Sequence, residues 1–448
     1  MKKIFKSPSA VFLLVVFLFS SITYNIWKDW RSRENPFQSD ADQYYSYLVA
    51  TFIHHDLEFK FPNSYWLRTP KEIPVPKVSM GMAYMYAPFF GIAHVVASSG
   101  DKYAADGYSK PYSYAIHWGG IIYTLLGLFF LRKLLLRFFG EWPTTLTLIS
   151  IFFATNLFYY SLGWPLMPHC HLFFLYALLL YLTVKWHEKQ DMKTMMGIGF
   201  AIGLCAVIRP LDALVGIIPV FYGVTSKETL FQKIQLLKIN SRQLSVGFLF
   251  FWLPLIPQMI YWKWATGQFF FFSYGDEENF FFGDPQIMNF LFSYRKGWLL
   301  YTPIMVLALI GFVWMKRFKE FSYISLFYVL IMIYVLSSWW CWWFGGCFGM
   351  RAMVQSYAIL ALPMAAFYSY VYEKKYLKFI FSRLVFVFIY FNILQTWQYK
   401  KVTLHWDGVT KEVYWGVFGE WNRDNVDPAV FEKVKEPDYE KARKGERD

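Results

Sequence analysis

The sequence predicts an all-α polytopic membrane protein with about eleven transmembrane helices and outer-face juxtamembrane helices in a long first loop. Apolar residue types make up 56% of its 448 residues, whereas soluble domains average about 45–50% even with glycine included. The excess lies in nearly uncharged blocks of roughly 15–25 residues, the length that crosses a bilayer as a helix. The blocks lack the alternation of barrel strands, so helices must satisfy the backbone in lipid.

This pattern divides the chain into the first transmembrane helix (1–27), a first outer loop with surface helices (28–111), a transmembrane bundle (112–397) and an outer C-terminal segment (398–448). Two further outer loops, 265–297 and 338–353, interrupt the bundle. The predicted spans are 8–27, 113–131, 143–160, 170–186, 195–208, 211–224, 244–264, 298–315, 321–337, 354–371 and 384–397. The charged end of the chain favours disorder over its last twelve residues.

The distribution of basic residues predicts the orientation of the chain in the membrane. A net charge of +13 would suit a nucleic-acid partner, but the Lys and Arg residues cluster in short segments between apolar blocks. With the N-terminus inside, the inner segments carry 20 of them and the short outer loops carry 4. This is the positive-inside bias of membrane proteins, so no nucleic-acid partner is expected. The first apolar run has no small-x-small cleavage site before Tyr24, which indicates an uncleaved span.

Residues 80–98 are long and apolar enough to span, yet the charge count argues against it. If they crossed the membrane, every later loop would change sides and most basic loops would face outward. We therefore expect an amphipathic helix that lies along the outer face or dips into it.

The outer segments contain the residues that could carry chemistry, beginning with Asp40 and Asp42 just after the first span. Carboxylates at a bilayer surface can act as a general base, accept hydrogen bonds from a sugar or help to bind a metal. The alternative is structural, because Ser39 or Asp40 could cap a helix that begins near Ala41.

A lysine and two histidines are the next candidates. Lys77 precedes the surface helix, where a cation is unfavourable to the helix dipole. It could bind a lipid phosphate or simply be solvated. His169 and His171 lie two residues apart in a short outer loop and could bind a metal with Asp42. A hydrogen-bonded structural role is the alternative for the histidines.

Basic residues of the other outer loops are candidates for an anion site. Arg295 and Lys296 depart from the positive-inside pattern, so they need an outer anion. Carboxylates of residues 274–285 could supply it, or a bound phosphate or pyrophosphate. Arg209 lies near the membrane with Asp212 three residues on, and such a charge usually has a partner. A binding role for Arg209 and a simple Arg209–Asp212 pair are both open.

The loop 338–353 has the most unusual composition, with four tryptophans around a glycine-rich turn that ends near Arg351. Tryptophan is expected at a membrane interface, but aromatic faces such as that of Trp343 also pack against sugars. Glycine lets the backbone approach a ligand closely, and Arg351 could bind a phosphate through two hydrogen bonds. Cys341 and Cys347 could form a disulfide in an oxidising compartment or serve as small apolar fillers.

In organisation, nearly the whole chain resembles the C-type glycosyltransferase superfamily (GT-C), which includes protein O-mannosyltransferases and bacterial aminoarabinose transferases. These membrane enzymes take a sugar from a polyprenyl phosphate at the outer or lumenal face. Asp40 and Tyr44 match the four-residue spacing of the family's acidic motif, although the usual adjacent acid is Ala41 here and Asp42 follows one position later. The stretch WWFGGCFGMR, which ends in Arg351, is similar to an aromatic, glycine-rich segment of many bacterial members.

The resemblance implies an inverting glycosyltransferase of the bacterial inner membrane, and the count of basic residues predicts an N-terminus inside and a C-terminus outside. The site residues would be Asp40 and Asp42 for catalysis, Lys77, Arg295, Lys296 and Arg351 for the donor phosphate, and Tyr44, His169, Trp343 and Arg209 for substrate. The donor would be a polyprenyl-phosphate hexose or pentose and the acceptor a protein, a lipid or a glycan. A divalent metal at Asp42 and His169 is left open.

The alternative class is a transporter or flippase of a lipid-linked saccharide. Transporters place ionisable groups at mid-membrane, whereas the predicted spans are nearly free of acids. The distribution of charge therefore favours the enzyme.

Overall fold

The computed structural model describes residues 7–26, 37, 40–60, 67–68, 71, 73–275 and 277–447. The chain is all-α and 70% helical, and two short strands, β1 (Leu67–Arg68) and β2 (Pro74–Val75), pair antiparallel. The predicted boundary between the first span and the outer loop, at residues 27–28, and Ser39 as a helix cap lie outside the described residues.

The helices of the first half follow the predicted order. They are α1 (Pro8–Ile26), α2 (Asp40–Val49), α3 (Gly81–Ser98), α4 (Lys110–Leu135), α5 (Glu141–Phe153), α6 (Leu157–Leu162), α7 (Pro168–Glu188), α8 (Met192–Ile208), α9 (Ile217–Phe221), α10 (Lys227–Ile239), α11 (Ser241–Trp252) and α12 (Ile256–Thr266). A π-helical turn, Ala50–His54, continues α2, and a 3-10 helix, Pro210–Gly216, leads into α9.

The second half adds α13 (Ile287–Phe292), α14 (Trp298–Tyr301), α15 (Met305–Gly311), α16 (Lys319–Ser338), α17 (Tyr357–Tyr372), α18 (Lys375–Lys400), α19 (Lys411–Gly416), α20 (Pro428–Phe431) and α21 (Tyr439–Arg443). Three 3-10 helices, Phe312–Arg317, Arg351–Ser356 and Arg423–Asn425, connect them. The predicted span 143–160 is divided between α5 and α6.

Five helices in the described part of the chain are long and apolar enough to cross a membrane. They are α4, α7, α16, α18 and the continuous segment Arg351–Tyr372. The pair α11 and α12, bent by 45°, becomes a sixth if it forms one span. Shorter apolar helices are Pro8–Tyr24, Met192–Ile208, Pro210–Phe221 and Met305–Lys316. An all-α bundle with apolar helices is therefore confirmed.

The segment Arg351–Tyr372 lies at the centre of the bundle, because 94% of its apolar stretch is buried, against 17% for α18. Close helix crossings stiffen the surrounding bundle. A Cβ on Gly199 of α8 would stand 1.9 Å from the carbonyl oxygen of Gly247 in α11, so only glycine permits this approach. His169 lies in the first turn of α7, Arg209 directly follows α8, and Arg351 begins the central segment.

The expected helix over 80–98 is present as α3. A Cβ on Gly81 would lie 2.5 Å from the backbone of Ile208 at the end of α8. Further along, His94 Nδ1 and the Tyr112 hydroxyl of α4 are 2.6 Å apart. The other face of α3 exposes apolar side chains such as Val95. Both ends of α3 thus contact segments that the charge pattern assigns to one side of the membrane.

The end of the chain is folded, so the expectation of disorder over the last twelve residues is wrong for the described ones. The Arg447 guanidinium is buried and donates to the Asp284 carboxylate at 2.8 Å and to the Ser338 carbonyl at 3.2 Å. The Tyr439 hydroxyl of α21 donates to Asp407 at 2.5 Å. Arg447 and Tyr439 therefore bind other loops, and they order the end of the chain.

Candidate functional site

Asp40 is the first residue of α2, and it lies beside Arg351 from late in the sequence. The carboxylate Oδ2 and the guanidinium Nη2 are 3.7 Å apart, and the two side chains are 42% and 20% exposed, respectively. The dipole of α2 favours an acid in its first turn. Two predicted site residues from distant parts of the sequence are thus brought together.

The glycine-rich turn before Arg351 sets the position of that residue. Gly349 has φ +57°, and a Cβ there would lie 3.1 Å from a neighbouring side chain, so glycine suits this position. The backbone of Phe348 is held by one hydroxyl, because its N–H donates to Tyr160 at 3.1 Å and its carbonyl accepts from Tyr160 at 3.2 Å. Arg351 then begins the 3-10 helix that leads into α17.

Two buried tyrosines lie close to these charges. Tyr44, one turn after Asp40, and Tyr274 of the loop 265–297 both interact electrostatically with Asp40, Arg209 and Arg351. Burial raises the pKa of both hydroxyls. They therefore stay protonated and can donate hydrogen bonds to an anion. Tyr44 is a predicted substrate residue, whereas no sequence pattern singles out Tyr274.

Lys77 pairs with Glu278, whose carboxylate Oε1 is 2.5 Å from the lysine Nζ. The same Nζ lies 5.0 Å from the centre of the Tyr274 ring. The backbone N–H of Lys77 donates to Gln43 Oε1 at 2.9 Å, which ties it to α2 beside the acidic turn. The term "Asp40 cluster" is used below for Asp40, Tyr44, Lys77, Arg209, Tyr274, Glu278 and Arg351.

Arg209 follows the last turn of α8 and forms the ion pair that the sequence offers as one alternative. Its Nε lies 3.6 Å from Oδ2 of Asp212, which is 1% exposed. The other carboxylate oxygen accepts from the Tyr176 hydroxyl at 2.6 Å and from Gln355 Nε2 at 3.0 Å. Asp212 therefore fixes Arg209 at one edge of the Asp40 cluster, where the guanidinium is 19% exposed.

His169 lies in the first turn of α7, close to Arg209 and Arg351, and is 2% exposed. Its ring meets the Tyr160 ring edge to face at 4.7 Å between centroids. Gln355 is beside the imidazole, but within the described part of the chain neither ring nitrogen of His169 nor Gln355 Oε1 has a hydrogen bond of normal geometry. Buried polar atoms of this kind require an explanation, and a bound ligand or water is one.

Asp42 lies apart from the ion pair, next to Tyr108. Burial raises the pKa of the Asp42 carboxyl to about 6. Within the described ranges, no three His, Cys, Asp or Glu side chains are grouped so that they could hold a metal ion. The hypothesis of a metal at Asp42 and His169 thus gains no third ligand from these residues.

Lys296 and Arg295 have protein partners of a kind that the sequence does not indicate. The Lys296 ammonium is 2% exposed and donates to the carbonyls of Cys347 and Trp406. Burial lowers the pKa of this lysine. The Arg295 guanidinium lies 5.1 Å from the ring centre of Trp343, which is itself buried. The carboxylates Glu278 and Asp284 of the segment 274–285 pair with Lys77 and Arg447 instead.

The four cysteines are all buried free thiols. Cys347 donates from Sγ to the Gly349 carbonyl at 3.3 Å. Of the two alternatives for Cys341 and Cys347, the structure supports small buried fillers.

Three residues of this region were not singled out by the sequence analysis: Tyr274, Glu278 and Gln355. Glu278 lies within an acidic run, and Gln355 follows Arg351 by four residues. These signals are weak because each depends on a partner from another segment.

Comparison with protein-family models finds no match, and none is found among curated proteins or solved structures. What the Asp40 cluster can do follows from its chemistry. It combines one partly exposed and one buried carboxylate, two guanidinium groups, an ammonium and two phenols. Such a set can remove a proton from a hydroxyl and stabilise a phosphate in the same place.

Proposed function

We propose that the chain is a membrane glycosyltransferase that moves a sugar from a polyprenyl phosphate to an acceptor at the outer face of the bacterial cytoplasmic membrane. The observation that carries the proposal is the 3.7 Å contact between the Asp40 carboxylate and the Arg351 guanidinium. One group can accept the proton of an acceptor hydroxyl, and the other can neutralise the departing phosphate. The resemblance of both motifs to the GT-C superfamily supports the same roles.

In the proposed reaction, Asp40 takes the proton of the acceptor hydroxyl as the hydroxyl oxygen attacks the anomeric carbon of the donor. The bond from that carbon to the phosphate oxygen breaks, and its electron pair leaves with the polyprenyl phosphate. This single displacement inverts the anomeric centre. Arg351, with Arg209 and Lys77 in the same cluster, offsets the charge on the phosphate.

The Asp40–Arg351 pair is the one best suited to open for a ligand. Its separation of 3.7 Å exceeds the roughly 2.7–2.9 Å of a direct charge-assisted hydrogen bond, and Asp40 is 42% exposed. The side chains of the acids Glu278 and Asp212, by contrast, are 10% and 1% exposed. A phosphate that replaces Asp40 on Arg351 would release the carboxylate to act on the acceptor.

The proposal includes the predicted topology of about eleven spans, with the N-terminus inside and the C-terminus outside. Its support is the agreement between the predicted spans and the apolar helices, counting short, bent and divided ones. The charge bias is supported by α7, whose first turn adjoins the Asp40 cluster and whose last turn pairs with Arg137, just beyond the basic end of α4.

The alternative is a transporter or flippase for a lipid-linked saccharide, and one observation favours it. Asp212 is a carboxylate buried within the bundle, and the hydroxyl of its partner Tyr176 lies 2.8 Å from that of Tyr328. Such chains of ionisable and hydroxyl groups occur in proton-coupled transporters. Here Asp212 is already satisfied by Arg209 and Gln355, so we rank this function second.

The test uses membranes that contain the full chain and radiolabelled polyprenyl-phosphate sugars, with release of polyprenyl phosphate as the readout. Asp40→Asn should lower transfer by about 10²–10⁴-fold, because the base is lost. Asp101→Asn, which changes an exposed acid in a turn outside the cluster, is the matched control and should keep full activity.

Two outcomes would reject the transferase. One is full transfer by Asp40→Asn. The other is an absence of donor consumption with every polyprenyl-phosphate sugar, while liposomes containing the chain move a lipid-linked saccharide across the bilayer and Asp212→Asn stops that movement.

A further inference from the structure

Lys296 is a buried cation that joins two distant stretches of backbone. It is 2% exposed, and its ammonium donates to the carbonyls of Cys347 and Trp406. The Trp406 carbonyl also accepts from the Cys347 N–H at 3.2 Å. These three hydrogen bonds, called the Lys296 bridge from here on, connect the glycine-rich turn before Arg351 to the segment that follows α18.

Burial of this charge is costly, and packing alone would not require it. A buried ion loses its hydration, and an apolar side chain of similar size is often neutral or stabilising in its place. Asp407 interacts electrostatically with Lys296, but its Oδ2 accepts from the Tyr439 hydroxyl at 2.5 Å. An ammonium has three N–H donors, so it can bind two carbonyls at once, which no apolar side chain can do.

The bridge ends four residues before Arg351, and the contacts of the turn continue from there. The Cys347 thiol donates to the Gly349 carbonyl at 3.3 Å, and that carbonyl also accepts from the Arg351 N–H at 2.9 Å. Between them, the Phe348 N–H donates to the Tyr160 hydroxyl of α6 at 3.1 Å. Groups from other segments thus hold two consecutive residues of the turn that places Arg351.

The C-terminal segment also packs against the chain on both sides of Lys296. The ring of Tyr414 in α19 lies 5.4 Å from that of Tyr294 and 5.7 Å from that of Tyr301, between centroids. The Trp415 indole N–H donates to the Tyr294 hydroxyl at 3.2 Å. The segment that carries the ammonium is therefore fixed by the same part of the chain that supplies one of its two carbonyl partners.

We propose that Lys296 is a positioning residue, which holds the C-terminal segment against the glycine-rich turn and thereby keeps Arg351 beside Asp40. The resemblance implies a phosphate contact for Lys296, but its ammonium donates to protein carbonyls instead. A shift of about 1 Å in a reacting group can cost roughly 100-fold in rate. That the held guanidinium serves sugar transfer rests on the proposed function, whereas the bridge itself does not.

The experiment compares two buried lysines in the purified full chain in phosphatidylcholine nanodiscs. Lys296→Met removes the bridge. Lys233→Met is the matched control, because Lys233 is 6% exposed and also donates to two carbonyls, those of Pro219 and Tyr222, at 2.9 and 3.2 Å. The Lys233 ammonium contacts His187 in the last turn of α7, at the end of that helix away from the Asp40 cluster.

Two readouts are measured for each variant. The first is the rate at which N-ethylmaleimide alkylates Cys347, located by peptide mass spectrometry, and it needs no substrate. The second is kcat and KM for the donor. Cys347 is 3% exposed and lies within the turn, so its alkylation reports local opening of the turn and not only loss of global stability.

Lys296→Met should raise the alkylation rate of Cys347 about 10-fold, because the turn loses its bridge. It should lower kcat about 10-fold and leave KM within about two-fold, since Lys296 itself does not contact the donor. Lys233→Met should lower the unfolding temperature and leave both readouts at the wild-type values.

Lys296→Gln keeps two N–H donors without the charge, so it should change the alkylation rate and kcat only about three-fold. This variant distinguishes hydrogen bonding from charge, because a lysine that bound the phosphate would lose as much from Gln as from Met. If Lys296→Met does not fold, Lys296→Gln is compared directly with the wild type, and faster alkylation with a lower kcat is the supporting result.

The proposal is overturned if folded Lys296→Met leaves Cys347 protected or kcat unchanged, if KM for the donor rises while kcat is retained, or if Lys296→Gln is impaired as much as Lys296→Met. Equal exposure of Cys347 by Lys233→Met would also overturn it. Failure of the transferase proposal looks different. In that case the alkylation of Cys347 shows the expected pattern, but the wild-type chain consumes no polyprenyl-phosphate sugar.

Discussion

Helix α7 carries clusters of charge near both of its ends, and the two differ in how completely their polar atoms are satisfied. His169 in its first turn adjoins the Asp40 cluster, and Glu188 in its last turn pairs with Arg137, just beyond α4. The 21 residues of α7 separate the two ends by about 30 Å. Because both ends belong to the same helix, differences between them reflect the local side chains.

At the Glu188 end, the neighbouring Arg132 makes three side-chain hydrogen bonds. It donates to Ser9 Oγ at 2.6 Å, to Ser7 Oγ at 2.8 Å and to Glu141 Oε1 at 3.4 Å. The same serines donate to the Glu141 carboxylate. Partial burial alone would raise the pKa of Glu141, but hydrogen bonds from Ser9 and Ser7 outweigh it and lower that pKa. This group needs no ligand.

At the His169 end, the ion pairs are longer, and buried polar atoms lack hydrogen-bond partners among the described residues. Arg351 and Asp40 are 3.7 Å apart, and Arg209 and Asp212 are 3.6 Å apart. Among the described residues, neither nitrogen of the His169 imidazole has a hydrogen bond of normal geometry. Unsatisfied polar groups cost stability when they are buried, so folding alone does not account for them. The difference supports the proposal that one end of the bundle serves stability and the other serves binding.

The largest expected effect is a loss of sugar transfer, and it distinguishes Arg351 at the His169 end from Arg132 at the Glu188 end. Arg351→Gln should lower transfer by about 10²–10³-fold, because the leaving phosphate loses its charge partner. The midpoint of thermal unfolding in detergent should change little, since the partner Asp40 is partly exposed. Unchanged transfer, or loss of folding without a specific loss of rate, would remove the assignment of Arg351 to the phosphate.

A smaller effect, on KM for the donor, is expected at Lys77. It tests whether the ion pair of Lys77 with Glu278 also opens for a ligand. Lys77→Met should raise KM for the donor about 10-fold and leave kcat within about two-fold, as expected for loss of a binding contact. Glu278→Gln frees the ammonium and should lower KM. If both variants instead lower the unfolding temperature and leave KM unchanged, Lys77 is a structural residue.

Some of these parts of the molecule could be predicted from the sequence, and others could not. Hydropathy predicted the helical blocks because each span must bury its own backbone in lipid. The contact of Asp40 with Arg351 was expected from motifs and charge placement. By contrast, Lys296 binds the carbonyls of Cys347 and Trp406, and nothing local to residue 296 encodes the approach of those two backbones.

The C-terminal segment shows the same limit. Its charged run predicted disorder, yet Arg447 is buried against Asp284. Composition reports how many charges a segment has, whereas order depends on whether distant loops supply partners for them. Partners far apart in sequence are what a single sequence does not reveal.

For the Glu188 end, the expected effect is on stability alone. Arg132→Met removes three donated hydrogen bonds and should lower the free energy of unfolding by about 1–2 kcal/mol, because the partly exposed site lets water replace some of them. Transfer per folded molecule should equal that of the wild type. A thermal-shift assay paired with a rate measurement separates the two quantities, and a specific loss of rate would contradict the division between the ends.

The smallest expected effect concerns Asp42, which lies on α2 but away from Arg351. Because burial raises the folded-state pKa of its carboxyl to about 6 from an ordinary 3.8, the ionised form destabilises the folded chain above pH 6. That cost fades as the pH falls and is absent below the unfolded-state pKa.

Asp42→Asn should therefore raise stability at pH 7 by about 1 kcal/mol, after allowance for solvent screening of a partly exposed group. At pH 4 the variant and the wild type should unfold at nearly the same temperature. A gain that is equal at both pH values would mean that ionisation of Asp42 is not its cause, and a loss of transfer would return Asp42 to the catalytic role that its place beside Asp40 in the sequence first indicated.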